Sequence, residues 1–99
     1  MDNFVQEKYP SEVIPTSIDF RKRIPTGETL DAGSCDVKIA DEAGADKTAD
    51  MLVAKAVSGT IVSGVVKDGT AATNYWITTT GITTPTGYTF IGKVFLRVL

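Results

Sequence analysis

Few residues in this chain have side chains that run chemistry, and their spacing does not bring them together. There is no histidine, which removes Ser-His-Asp and Cys-His arrangements and the commonest metal ligand at once. The single cysteine, Cys35, falls in one apolar register with Val37 and Ile39, where a thiol is buried and inert, so its expected role is structural. Asp41, Glu42, Asp46 and Asp50 carry the oxygen ligands a calcium ion takes. Their order departs from the Asp-x-[Asp/Asn]-x-[Asp/Asn]-Gly loop, so a solvated acidic loop is expected instead. Glycoside hydrolysis requires two carboxylates across a cleft of fixed width, which nothing in so short a chain suggests. Asp68-Gly69-Thr70 holds the residues of an aspartic-protease triplet in another order and reads as a turn. No Gly-x-Gly-x-x-Gly or Walker-type phosphate loop is present. The reading is therefore of a non-enzyme, with no catalytic residue, cofactor or metal assigned.

Trp76 has more to offer a partner than a reaction. In the run Asn74-Tyr75-Trp76-Ile77-Thr78-Thr79-Thr80, Tyr75, Ile77 and Thr79 share one face of a strand and Trp76 the other, with Asn74, Thr78 and Thr80. An outward Trp is either packed by neighbouring threonines and Lys or Arg stems, or used as a binding anchor. Stacking on a sugar, with Tyr75 or Tyr88 completing the platform, is a further use. The interface candidates are Trp76, Thr78, Thr80, Lys93 and Arg97.

These residues need strands to hold them. From Tyr88 the even positions run Tyr88, Phe90, Gly92, Val94, Leu96, Val98, while Thr89, Lys93 and Arg97 lie on the odd side; this period of two marks a half-buried strand. Pro85-Thr86-Gly87 joins it to the Tyr75–Thr80 strand as a turn. Earlier strands are expected at 16–20, with Ile18 and Phe20 on one face, and at 33–40, with Cys35, Val37 and Ile39 inward. Two more are expected at 51–57 and 60–67, broken at Ser58-Gly59, with Lys67-Asp68-Gly69-Thr70 as the next turn. Between them, 41–50 reads as a mobile acidic loop, with a single helical turn as the alternative. Residues 1–15 are polar, carry Pro10 and Pro15, and read as a flexible N-terminal arm before a single domain at 16–99.

About six to seven short antiparallel strands with evenly spaced turns predict an all-β fold, a two-sheet immunoglobulin-like β-sandwich without the antibody disulfide, with a small barrel as the alternative. Val, Ile and Thr supply about a third of the chain, the bias that strands favour. In 99 residues one modest core is expected, with no room among them for a separate substrate domain. Apolar residues at 42% and charged ones at 22% are those of an ordinary globule.

The formal charge of −2 and a single basic cluster, Arg21-Lys22-Arg23, argue against a nucleic-acid partner, whose phosphates demand a basic excess. No apolar run is long enough to span a bilayer, so no membrane partner is expected. Met1–Lys8 lacks the basic and apolar regions of a secretion signal. Synthesis and folding in a reducing host cytoplasm are expected, in keeping with one cysteine.

The order of residues from Ile18 to Val98 resembles the small phage-encoded tail proteins called fiber-tail adaptor proteins, which have an immunoglobulin-like fold. Four segments carry the resemblance: Asp19-Phe20 with Thr26-Gly27-Glu28-Thr29-Leu30; Gly69-Thr70-Ala71-Ala72-Thr73-Asn74-Tyr75-Trp76-Ile77; the threonines 78–80 and 83–84 followed by Gly87; and Phe90 to Val98, closing on Val94-Phe95-Leu96-Arg97-Val98. Ala72 stands where the family pattern has glycine, and Arg21-Lys22-Arg23-Ile24 where it has a tryptophan after the opening aspartate. The resemblance implies a non-catalytic structural module of a bacteriophage or prophage virion, at the tail or the tail–fibre joint. Its partners would be other tail or particle proteins, with self-association as a further option. Two other functions compete with it: a carbohydrate-binding or adhesion module built on exposed aromatics, and an accessory domain of a larger enzyme.

Overall fold

A computed structural model describes residues 4–99. Its elements are β1 (Phe4–Lys8), β2 (Ile14–Asp19), β3 (Thr29–Leu30), β4 (Asp36–Asp41), the helical turn α1 (Thr48–Met51), β5 (Leu52–Ser58), β6 (Ile61–Val66), β7 (Thr73–Thr84) and β8 (Thr89–Val98). They make two sheets. The larger runs β1-β8-β7, with β3 and β4 both pairing along the far side of β7; the smaller runs β2-β6-β5. The fold is thus the expected all-β sandwich. The strands β2-β6-β5 make one layer and β4-β7-β8 the centre of the other.

Alternation decides which side chains meet between the sheets. Val37 and Ile39 of β4, Tyr75 and Ile77 of β7, and Val94, Leu96 and Val98 of β8 are buried against Val62 and Val66 of β6, with Phe20, Cys35 and Met51 at the margins. Burying each of the larger aliphatic side chains contributes about 1.5–3 kcal/mol. Gly81 and Gly92 interrupt the two long strands where the opposite layer comes close. A β-carbon on Gly81 would lie 3.0 Å from the Phe20 ring, so these glycines are sockets for the other layer.

Several boundaries differ from the sequence reading, each for a local reason. The strand expected from residue 33 begins at Asp36, because Ser34 and Cys35 donate their N–H groups to Asp31 O in a turn. Tyr88, placed by periodicity on the apolar face, is exposed and precedes β8; its N–H donates to Thr83 Oγ1 within the hairpin turn. The 41–50 stretch, read as a loop with a helical turn as the alternative, holds the first three residues of α1 and is pinned by its own carboxylates. Asp41 Oδ1 accepts from the N–H groups of Ala43 and Ala45, and Asp46 Oδ1 from the N–H and hydroxyl of Thr48.

The largest difference lies in residues 4–15, which contain β1 and the start of β2; residues 1–3 of the expected arm lie outside the described residues. β1 pairs with β8 in parallel, Val5 opposite Phe95 and Lys8 opposite Val98, so the pairing is not antiparallel throughout. No apolar alternation announces this strand, because its inward positions are Gln6 and Lys8. Lys8 is buried, and its amine donates to the carbonyls of Tyr9 (2.8 Å), Pro10 (3.3 Å) and Asp68. Burial pulls its pKa below 10.5, against the opposing pull of the Asp68 and Glu12 carboxylates. The carbonyl cage makes a polar residue acceptable in a core position.

Candidate interaction surface

The outer face of the large sheet is built by the residues that alternate with its core. Register places Ala40, Trp76, Phe95 and Val5 in one row across β4, β7, β8 and β1. The Trp76 and Phe95 rings meet edge to face with centroids 4.9 Å apart and planes at 66°, the geometry aromatic quadrupoles prefer. Trp76 is half-buried by this contact, whereas Val5 beside Phe95 is 63% exposed. An apolar stripe therefore crosses the sheet face.

Mostly polar rows flank the stripe. On one side Lys38, Thr78 and Lys93 stand in register, followed by Asp36, Thr80 and Ile91. On the other, Arg97 is paired with Glu7 at 3.2 Å and Asn74 donates to Glu42 Oε1 at 3.3 Å. An apolar centre with a polar, charged rim is the anatomy of a protein interface. Both ion-pair partners are about half exposed, so this contact orients the rim and adds little stability.

All five sequence candidates, Trp76, Thr78, Thr80, Lys93 and Arg97, lie on this one face. Sequence reasoning missed Phe95, Val5 and Ile91, which share it. The signal was present for two of them: Ile91 and Phe95 occupy odd positions of the strand whose even positions form the core. Val5 offered none, since β1 itself was not recognised. The proposed sugar platform does not form. Tyr75 is buried, its hydroxyl accepting from Thr70 N–H. Tyr88 lies seven residues along the chain from Phe95, roughly 23 Å at strand rise.

Elsewhere the reactive side chains have structural partners. Cys35 is buried, and its sulfur accepts from Ile82 N–H at 3.3 Å. Arg23 lies over the rings of Phe20 and Phe90 at 5.9 and 5.1 Å and donates to Ile91 O, while Arg21 pairs with Asp19. Glu28 takes the hydroxyls of Thr83 and Thr86 and the N–H of Thr86. Partial burial raises its pKa, but these donors outweigh it and leave it below 4.5. Among the described residues no three His, Cys, Asp or Glu side chains gather as a metal cage. No described helix is long and apolar enough to cross a membrane.

The described residues thus define a small two-sheet, all-β module with a rimmed apolar stripe on its outer face. Residues 8–97 match the podophage GP4 fiber-tail adaptor protein gp77 family, and the chain belongs to that family. No curated protein matches it.

Proposed function

We propose that the chain joins tail and fibre components of a phage particle by protein–protein contact alone, docking a tail protein on the outer face of its large sheet, and catalyses no reaction. The Trp76–Phe95 pair at the centre of that face carries this reading. Trp is the residue type most enriched at interface hot spots, and here a second ring fixes its orientation before any partner arrives. Thr78, Thr80, Lys93 and Arg97 form the rim, where charges govern approach and register more than affinity. On this reading the chain is a virion component whose partners are proteins, with neither nucleic acid nor membrane among them.

The test is binding of the purified chain to fibre-less tail particles and, separately, to the fibre protein. Trp76→Ala is expected to weaken one of these contacts about thirtyfold or more, the loss of a hot-spot aromatic. Lys93→Ala changes the association rate and its salt dependence more than the lifetime of the complex. Unchanged affinity for both components in the folded Trp76→Ala protein would rule out this face.

A further inference from the structure

The edge of β5 has open backbone groups and a pocket beside them. β5 turns into β6 through Gly59-Thr60, with Ser58 opposite Ile61, and the pair flanking a two-residue turn exchanges hydrogen bonds. Alternation then bonds Ala56 to Ser63 and leaves the N–H and C=O of Lys55 and Val57 facing outward. Register on the other side of β6 agrees, since Thr60 O accepts from Phe20 N–H and β2 pairs there. Among the described residues, these outward groups have no backbone partner.

Two other edges are obstructed in part. Along β4, Lys55 Nζ donates to Cys35 O at 3.2 Å and Asp36 Oδ1 accepts from Val37 N–H. Thr48 Oγ1 accepts from Ile39 N–H, and Lys47 N–H donates to Ile39 O at 2.7 Å. β2 carries Pro15, which has no N–H to offer, and Gln6 Nε2 donates to its carbonyl.

Beside the open groups of β5 lies a pocket of about 160 Å³ lined by Ala32, Cys35, Lys55, Ala56, Val57 and Val62. Cys35 and Val62 are buried and form its floor. Lys55 stands opposite Gly64, a buried position of β6, and reaches across the gap to Asp36 at 3.0 Å. A lysine turned inward on an edge strand discourages indiscriminate pairing. An antiparallel second copy centred on Lys55 would set this lysine against itself. A carboxylate opposite Lys55 fits instead, and the next residue on the same face of such a strand stands opposite Val57, at the pocket.

We propose, resting on the adaptor reading, that β5 accepts an extended segment of a tail or fibre protein as an added strand. The backbone of that segment pairs with Lys55 and Val57. One of its aliphatic side chains enters the pocket over Cys35 and Val62, and a carboxylate two residues away on the same face meets Lys55. Ala54 and Ala56 are exposed and small, so the alternate side chains of the segment are unrestricted. Main-chain bonds supply affinity and the pocket supplies selection, the division of labour in strand addition.

The probe is a set of 15-residue peptides tiling the tail and fibre proteins of the same phage, with amide exchange as the readout. Binders are expected to carry the aliphatic–x–acid pattern and to slow exchange at Lys55 and Val57 on the order of tenfold or more. Val57→Pro removes an outward N–H that bonds nothing in the free chain; it is expected to weaken binding about three- to tenfold. A peptide N-methylated at its pairing positions tests the same bonds without altering the fold. Lys55→Glu is expected to shift selection towards peptides with a basic residue in place of the acid.

Absence of any binder, or binders indifferent to both Val57→Pro and N-methylation, overturns the proposal. Concentration-dependent protection of Lys55 and Val57 in the chain alone would make the occupant a second copy and overturns it too. If tail particles contain the chain while these amides exchange freely within them, strand addition fails and the adaptor reading stands. If no particle contains the chain, the adaptor reading fails with it.

Discussion

Ile18 of β2 packs onto Gly92 of β8, with Ile18 Cγ2 lying 3.0 Å from where a β-carbon on Gly92 would stand. The two sheets approach most closely where a strand gives up its side chain to admit a branched one. Gly92→Ala is therefore expected to cost about 1–3 kcal/mol by overpacking. Ile18→Ala in the same chain removes the opposing Cγ2, so the double variant should lose less than the sum of the two single losses. Urea melts of the two single variants and the double variant measure the coupling; additive losses would mean that the contact is not what the glycine relieves.

Ala72 has φ of +59°, a left-handed conformation that disfavours any residue with a β-carbon. Replacing it with glycine is expected to stabilise the domain by about 1 kcal/mol, visible as a Tm rise of roughly 4–8 °C. Gly69, at φ +95°, is the opposite case. A β-carbon there would sit 2.9 Å from Val98 Cγ2, so Gly69→Ala is expected to lower Tm. If both substitutions moved Tm in the same direction, the assigned backbone of the 68–72 turn would be wrong.

Stability should fall on the acid side. The Thr60 hydroxyl and Arg21 N–H hold the Asp19 carboxyl below its ordinary 3.8, and Thr48 does the same for Asp46. Glu28 lies below 4.5. A carboxylate with a depressed folded pKa adds stability that is present above its unfolded pKa and is lost as pH falls through the folded value. Denaturant midpoints are expected to stay level from pH 7 to about 5 and to drop below about pH 4. Glu28→Gln should flatten part of that drop. An equally steep profile in this variant would remove Glu28 from the account.

Ile39 and Leu96 are fully buried in the apolar core, and Lys93 is exposed. Ile39→Asp and Leu96→Asp each bury an unpaired charge and are expected to unfold the chain at 25 °C, whereas Lys93→Ala stays within about 0.5 kcal/mol of the parent. Circular dichroism melts separate these outcomes directly.

The central strands were legible because their burial follows a period of two. Val37 and Ile39, Tyr75 and Ile77, and Val94, Leu96 and Val98 all face as their alternation indicated. β1 was illegible for the opposite reason: Lys8 occupies a core position by donating to three carbonyls, one of them on Asp68, 60 residues away, and no local pattern encodes that partner. The outer face was read in part. Trp76 was placed correctly by its neighbours in sequence, but its contact with Phe95 depends on cross-strand register, which the turn at 85–88 sets. Which sheet edge stands open is not legible locally, because an open edge is defined by which strands fail to pair with it.

The most direct test of the account is a cryo-EM map of the tail–fibre joint of the intact particle, resolved well enough to place side chains. The account predicts the chain at that joint, with Trp76 and Phe95 covered by a neighbouring tail protein and no substrate-bearing cleft. A map in which that aromatic pair faces solvent, or in which the chain is missing from the particle, would contradict it.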